Sequence, residues 1–283
     1  MKQIIGLFLV LVVGFIGCGG DKDSSTGPTE GPEGQTLEVE TEWRKTFGGG
    51  RSYSVQQTVD GGFIVTGSDK NDNGDVLLLK TDGQGNEQWR KTFGLGRGYS
   101  VQQTVDGGFI VTGQDFSNDF VVLLLKTDGQ GNEQWRKTFG LGRSYSVQQT
   151  VDGGFIVTGY DGDVDVDSVM FLLKTDSQGN EQWRKTFGDG SGHSVQQTVD
   201  GGFIVTGYEG DVDVGSVMFL LKTDVQGNEQ WRKTFGGGGS GYSVQQTVDG
   251  GFIVTGREYD NFFDVLLLKT DVQGNEQWRK TFG

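Results

Sequence analysis

The chain has 283 residues, of which 51 are glycine, two are proline and one is cysteine, and it contains no alanine. Its 24 basic and 38 acidic residues give a formal net charge of −14, which excludes nucleic acid as an expected partner because binding to phosphates needs excess Lys and Arg. Alanine is the best helix former, so its absence excludes a largely helical protein. The composition therefore predicts a glycine-rich β protein.

The N-terminal segment has the pattern of a signal peptide. Lys2 provides a positive charge, and the apolar run from Ile4 to Ile16 is shorter than the roughly 20 residues that a membrane-spanning helix needs. The run leads to Cys18, the single cysteine, where a signal peptidase would cut. We predict a signal peptide over residues 1–17.

The sequence Phe15-Ile16-Gly17-Cys18 resembles the lipobox of bacterial lipoproteins, although Phe15 departs from the usual leucine. The resemblance implies that Cys18 is acylated and anchors the protein to a membrane through lipid alone. Gly19 implies an outer-membrane or surface location if the organism has two membranes. The alternative is an ordinary signal peptide that contains a cysteine. The composition of residues 18–38, which include both prolines, predicts a flexible tether.

The rest of the chain is a tandem repeat. The segment VQQTVDGGFIVTG occurs five times and WRKTFG occurs six times, and tryptophan recurs at intervals of 46 to 48 residues. Each repeat has four β-prone stretches, which in the first repeat are Ser54–Val59, Phe63–Ser68, Asp75–Thr81 and Gln88–Phe93. Glycine-rich turns such as Asp60-Gly61-Gly62 separate them.

Four antiparallel strands in about 47 residues match one β-propeller blade. We predict an all-β fold over residues 39–283, a β-propeller of four-stranded blades with five blades as the favoured number. A linear β-solenoid and a closed barrel are the alternatives. Five sets of the first three strands accompany six outer strands, so either Trp43–Phe47 or Trp278–Phe282 is surplus in a five-bladed ring. The local hairpin favours Trp278–Phe282 as the strand that completes the last blade.

Asp82, Gly85, Trp89 and Gly94, with their counterparts in the other repeats, resemble the repeat signature of quinoprotein-like bacterial β-propellers. The resemblance implies that the tryptophan docks one blade onto the next. The turn is one residue shorter than in most such repeats, and the chain is too short for the roughly eight blades of the quinone-dependent enzymes. We therefore expect no cofactor.

Catalytic and metal-binding constellations are sparse. His193 stands where other repeats have tyrosine, which favours a packing role over that of a catalytic base. Asp69, Asn71 and Asn73 imitate the start of a calcium loop, but its twelfth position is Lys80 rather than glutamate. Alternating carboxylates such as Asp161 and Asp163 leave calcium binding and glycoside hydrolysis as alternatives. We predict no catalytic residue and no metal site.

The repeats differ mainly in two connections, which an up-and-down blade places on one face. One connection follows the second strand, and the other, at 94–99, 140–145 and 188–193 in three repeats, leads from the outer strand to the next blade. Loops on a rigid scaffold commonly carry binding residues, although drift after duplication explains the variation equally well. The candidate ligand-binding residues are Tyr160, Tyr208, Tyr259, Phe262, Arg51, Arg97 and Arg143.

These features predict a membrane-anchored, extracytoplasmic binding module for a protein or a carbohydrate, which we expect to be a monomer. A structural lipoprotein that assists outer-membrane assembly is the main alternative. A glycan-active hydrolase is a weaker one, because no acid/base pair stands apart from the general acidity.

Overall fold

The computed structural model describes residues 44–283 except 70–73, 118, 164–165, 211–214, 237 and 261. The predicted signal peptide, Cys18 and the tether lie outside the described residues. The described part of the chain contains 17 antiparallel β-strands and no helix, so the expected all-β class is confirmed. It accordingly contains no helix long and apolar enough to cross a membrane.

The first nine strands are β1 (Gly50–Gln57), β2 (Phe63–Asp69), β3 (Asp75–Thr81), β4 (Glu87–Gln103), β5 (Phe109–Asp115), β6 (Val121–Thr127), β7 (Glu133–Gln149), β8 (Phe155–Asp163) and β9 (Val166–Thr175). The remaining eight are β10 (Glu181–Gln197), β11 (Phe203–Glu209), β12 (Val217–Thr223), β13 (Glu229–Phe235), β14 (Gly239–Gln246), β15 (Phe252–Asp260), β16 (Phe262–Thr270) and β17 (Glu276–Phe282).

Strands pair in sequence order, from β1 to β13 in one sheet and from β14 to β17 in a second. Each of the 17-residue strands β4, β7 and β10 pairs with the preceding strand through its first part and with the following strand through its second part. In β4, for example, Thr92 lies opposite Leu77 and Val101 lies opposite Val111. The strands therefore form five four-stranded units, which we number one to five, over residues 50–93, 96–139, 142–187, 190–235 and 239–282.

The long strands correct one expectation. Residues 94–99, 140–145 and 188–193 are not connections but the middle parts of β4, β7 and β10. Gly94, at φ +59°, shows the reason, because a residue in the left-handed region lets the strand turn from one unit into the next without ending.

The predicted hairpins are present. In the turn after β1, the Thr58 amide donates to the Gly62 carbonyl at 2.9 Å, and Gly61 has a φ of +83°. β17 pairs with β16, so Trp278–Phe282 completes unit five as the local hairpin predicted. Residues 44–47 form no strand.

The core lies between neighbouring units. At the junction of units one and two, Ile64, Leu78 and Phe93 pack against Phe109 and Leu125. Equivalent clusters occupy the junctions of units two and three, three and four, and four and five. The third strand is buried on both faces in units one, two and four, as its apolar sequence predicted, whereas Val265 in the third strand of unit five is exposed.

Each of these junctions also contains an edge-on aromatic pair. The Trp89 ring meets the Phe109 ring of the next unit at 5.8 Å, and Trp135 meets Phe155 in the same way. The tryptophan therefore docks one unit onto the next at these junctions.

Hydrogen bonds join the first strands of neighbouring units. The Gln149 amide donates to Gln102 Oε1 at 2.6 Å, and the Val147 amide donates to Ser100 Oγ at 3.5 Å. The Val105 amide, in a hairpin turn, donates to Gln149 Oε1 at 2.9 Å. Side chains of one unit thus satisfy edge amides of its neighbour, which would otherwise be open to pairing with another chain.

A buried lysine organises the hairpin end of every unit. In unit three, Lys174 Nζ donates to Asp152 at 2.9 Å, to the Thr175 carbonyl at 2.9 Å and to Gln182 Oε1 at 3.1 Å. Partial burial raises the pKa of Asp152, but hydrogen bonds from Thr150 and Lys174 outweigh it and lower that pKa to about 2. Asp152 is therefore ionised and compensates the buried ammonium group.

Candidate binding site in the central cavity

The first strands of all five units line one cavity of about 320 Å³, and we call them the innermost strands. Its lining consists mainly of four consecutive residues from each innermost strand, such as Tyr99, Ser100, Val101 and Gln102 in unit two. The pairing register shifts at the aromatic residue of each of these strands, so the side chains alternate regularly between two faces only from the serine onward. The sequence Tyr-Ser-Val-Gln, with histidine for tyrosine in unit four, repeats around the cavity.

Five aromatic side chains form a continuous row at one level of this cavity. We call this row the aromatic arc; its members are Tyr53, Tyr99, Tyr145, His193 and Tyr242. Successive ring centroids are 4.9, 5.5, 5.2 and 5.4 Å apart. These distances are typical of favourable aromatic pairs, so the arc is a preorganised apolar surface.

His193 is held by three aromatic contacts and one hydrogen bond. Its ring stacks on Tyr242 and meets Tyr145 and Tyr208 edge-on. Nδ1 lies 2.9 Å from the Gly241 carbonyl oxygen, which can only accept, so Nδ1 carries the proton. Burial lowers the pKa of His193 to about 4, and the nearby charge of Arg257 adds to this effect. His193 is therefore neutral at pH 7, with a lone pair on Nε2.

Arg143 supplies a positive charge beside the arc. Its guanidinium lies 5.2, 5.8 and 5.9 Å from the ring centroids of Tyr99, Tyr145 and Tyr160. Its Nε donates to Gln114 Oε1 at 3.2 Å, and Nη1 donates to Tyr145 Oη at 3.3 Å. Burial raises the pKa of Tyr145 to about 12, although the positive charge of Arg143 acts to lower it. The Tyr145 phenol is therefore protonated at neutral pH.

The structure brings only some of the predicted ligand-binding residues to the arc. Arg143, Tyr160 and Tyr208 contact it directly. Arg97 stacks instead on Phe116, at 5.3 Å, and Arg51 is exposed.

Tyr160, Tyr208 and Tyr259 were expected in the connections that follow the second strands, and this expectation is wrong. Tyr160 lies in β8, Tyr208 in β11 and Tyr259 in β15, because the strands continue further than their β-branched centres indicate. Tyr160 is buried, at 3% exposure, whereas Tyr259 is 53% exposed. Phe262 begins β16, and its side chain lies outside the described part.

Sequence reasoning assigned the members of the arc to packing. Their spacing of one per repeat was visible, but nothing in the sequence shows that the strand after the bend at Gly94 is the innermost one. Because this strand lines the cavity, its repeated segment, Tyr-Ser-Val-Gln in four units and His-Ser-Val-Gln in unit four, is the strongest site signal in the chain.

The residues of the calcium and hydrolase alternatives lie only partly within the described residues. Asp161 is described, and it pairs with Arg184. Asp69 is also described, whereas Asn71 and Asn73 are not, and neither is the side chain of Asp163. Within the described ranges, no group of three His, Cys, Asp or Glu side chains could hold a metal ion.

No protein-family profile and no curated protein matches this sequence. Among solved structures, the fold is similar to a protein of unknown function from Dyadobacter fermentans, with 12% identity, a TM-score of 0.50, and 77% of this chain and 78% of that chain covered. A protein of unknown function from Bacteroides caccae matches with 12% identity, a TM-score of 0.47, and 77% and 93% of the two chains covered. A β-xylosidase matches with 9% identity, a TM-score of 0.43, and 81% and 94% covered. The likeness to the Dyadobacter protein concerns the fold alone.

Proposed function

We propose that the five units form a β-propeller with the central cavity on its axis. Two observations support this arrangement. Neighbouring units pack through equivalent clusters, and the innermost strand of every unit lines the same cavity.

We propose further that the protein is an extracytoplasmic lipoprotein, anchored through Cys18 to the outer membrane or the cell surface. The tether at residues 18–38 would hold the propeller away from the bilayer. In such a place the cavity would face ligands outside the cytoplasm.

The function that the geometry supports best is binding of a glycan in the aromatic arc. The observation that carries this proposal is the row of five half-buried rings around a cavity of about 320 Å³. Binding pockets for small molecules begin at roughly 300 Å³, so the cavity suits one sugar ring rather than a folded protein segment. The C–H face of a sugar can pack on the rings.

Polar groups around the rings match the hydroxyl groups of a sugar. The Tyr145 phenol and the Arg143 guanidinium are donors, and His193 Nε2 is an acceptor. Ser100 Oγ accepts a bond from the Val147 amide, which leaves its hydroxyl proton as a further donor toward the cavity. These groups can orient a polyhydroxylated ligand that the rings hold.

Binding is favoured over glycoside hydrolysis. Hydrolysis usually requires two carboxyl groups on either side of the glycosidic bond. The described residues that line the cavity include tyrosine, serine, glutamine and histidine but no aspartate or glutamate. We therefore propose a binding module rather than an enzyme.

A glycan array tests this function. The full chain with Cys18→Ser should retain a defined set of glycans, and Tyr145→Ala in that background should lose them because the stacking surface is interrupted. Val199→Ala is the matched control, since Val199 lies in the hairpin turn between β10 and β11, outside the cavity lining, and is 93% exposed. Failure of the parent chain to bind any glycan, or equal binding by Tyr145→Ala, would refute the proposal.

A further inference from the structure

The two terminal units expose apolar faces that every internal junction buries. Val265 of unit five is 58% exposed, whereas its counterpart in unit four, Met218, is 1% exposed. Phe282 is 56% exposed, against 9% for Phe235. On unit one, Val55 is 44% exposed, whereas Val101, Val147, Val195 and Val244 are each about 5 to 6% exposed. Among the described residues, the apolar face of unit five and part of the apolar face of unit one are therefore uncovered.

The four internal junctions show which kind of surface covers these faces. Between units four and five, Met218, Leu220 and Phe235 pack against the face of the next unit. That face contributes Val244 and Val254 among its buried residues. The same positions of unit five are Val265, Leu267 and Phe282. A sheet with the pattern of the repeat is thus complementary to the exposed face.

Residues 44–48 already occupy part of the position of a preceding unit. Arg90 Nη2 donates to the Phe47 carbonyl at 3.4 Å. The Gly48 backbone lies beside the Arg90 guanidinium, just as Gly94 lies beside that of Arg136. This segment enters β1 along the path by which the outer strand of unit one enters unit two.

The charges of two lysines repeat the same relation. Hydrogen bonds from Asn86 lower the pKa of Asp82 in unit one, and the charge of Lys45 lowers it further; Asn132 and Lys91 have the same effects on Asp128 in unit two. Residues 44–47 therefore lie against unit one where the outer strand of a preceding unit would lie.

The repeat counts indicate which kind of element would fit between the two faces. WRKTFG occurs six times and VQQTVDGGFIVTG five times, so the chain carries one outer strand more than sets of inner strands. β17 is the outer strand of unit five, and residues 44–47 are placed as the outer strand of a sixth unit. Three inner strands would complete that unit.

We propose that the surface between units five and one binds a three-stranded antiparallel β-meander of the repeat type, which a partner polypeptide supplies. Its valine, phenylalanine and leucine side chains would cover Val265, Leu267 and Phe282 on one side and Val55 on the other. Its outer edge would pair with residues 44–47 through main-chain hydrogen bonds, as in binding by strand addition. The proposal rests on the proposed propeller arrangement of the units but not on glycan binding.

The experiment adds the meander to the protein. A polypeptide with the sequence of residues 236–270 is titrated into the full chain with Cys18→Ser, and calorimetry and light scattering measure affinity and mass. We expect a saturable one-to-one complex. Val265→Asp in the chain should weaken it by about 100-fold or more, because the complex would bury an unpaired carboxylate. Val272→Asp is the matched control, since Val272 is 50% exposed in the turn before β17, and it should bind as the parent does.

A second form of the experiment does not require the free meander to be soluble. An additional copy of residues 236–270 is joined after Gly283, and thermal unfolding is compared with that of the parent. We expect a higher melting temperature that Val265→Asp abolishes and Val272→Asp retains. Absence of both the complex and the rise in melting temperature overturns the proposal.

Two other results overturn it in favour of a different occupant. If the parent alone is a dimer that Val265→Asp dissociates, the face binds a second copy of this chain. If Val265→Asp destabilises the parent as strongly as Met218→Asp does, unit five packs directly onto unit one. Val55 and Leu267 also line the central cavity, but neither result decides glycan binding, which the array with Tyr145→Ala tests separately.

Discussion

At the residue scale, His193 is the one member of the aromatic arc that titrates near neutral pH when exposed to water. Its surroundings keep it neutral, because protonation would place a charge among three aromatic rings with Arg257 nearby. The other four units have tyrosine at this position. Histidine therefore adds a lone pair to the cavity at the expense of stability in acid.

This difference predicts a pH dependence of stability. The pKa of His193 is lowered from 6.5 to about 4, so between these values the unfolded chain binds more protons than the folded chain. Unfolding free energy should therefore fall as the pH falls from about 6.5 to 4, by the order of 2 kcal/mol. Thermal unfolding at pH 7.0 and 4.5 measures this loss, and His193→Tyr should reduce it.

Aspartates titrate in a separate pH window. The pKa values of Asp60, Asp106 and Asp152 are each lowered to about 2, so their contribution is present above about pH 4 and is lost as the pH falls toward 2. The same loss between pH 7.0 and 4.5 in the parent and in His193→Tyr would show that the histidine is not responsible.

The sequence shows that histidine replaces tyrosine in unit four, but it does not show that this position lines a cavity. The repeat alignment put His193 beside Tyr145 and Tyr242 in register. Whether that register faces a cavity or a packed core depends on how the units are arranged about one another, and a strand pattern does not specify this.

At the scale of elements, the tryptophan of each unit depends on the unit that follows. Trp135 packs on Phe155 at 5.8 Å and against the backbone of Gly179, whereas Trp278 is 42% exposed in the last unit. Trp135→Ala should cost about 3 kcal/mol of unfolding free energy, and Trp278→Ala about 1 kcal/mol or less. Chemical denaturation measures both, and equal effects would show that the indole does not dock units.

The two glycines of each hairpin turn should differ in their tolerance of a side chain. Gly153 has a φ of +83°, and a Cβ added there would meet no atom within 4 Å, so Gly153→Ala should cost about 1 kcal/mol through backbone strain alone. A Cβ at Gly154 would lie 2.1 Å from the Thr175 carbonyl oxygen, so Gly154→Ala should be clearly worse. Melting temperatures of the two variants check this order, and the reverse order would contradict the turn geometry.

Element boundaries were predictable where the sequence alternates regularly. Phe63–Ser68 and Asp75–Thr81 nearly coincide with β2 and β3, because β-branched and leucine residues fill them between glycine turns. The continuation of β4 through Gly94 was not predictable, because a glycine at a strand end indicates a turn or a bulge equally well.

At the scale of the whole molecule, the lipobox-like sequence predicts how the protein reaches its membrane. Cys18→Ser should release the protein from membranes into the soluble fraction, since the acylated cysteine is the anchor that we expect. Fractionation of cells that express the parent and the variant measures this. Continued sedimentation of the variant with membranes would contradict the lipoprotein assignment.

The number of repeats could be counted from the sequence, whereas the relation of the two ends could not. Near-identical repeats give each unit the same two faces, so every junction looks alike in sequence. The angle between neighbouring units decides whether unit five meets unit one, and small differences in strand twist determine that angle.

A crystal structure of the chain with a glycan selected on the array would show whether the aromatic arc is the ligand site. We predict a sugar ring within about 4 Å of the Tyr145 and His193 rings, inside the central cavity. A glycan bound at the hairpin turns near Val199, or on an outer strand, with the cavity free of it, would show that the arc is not the ligand site.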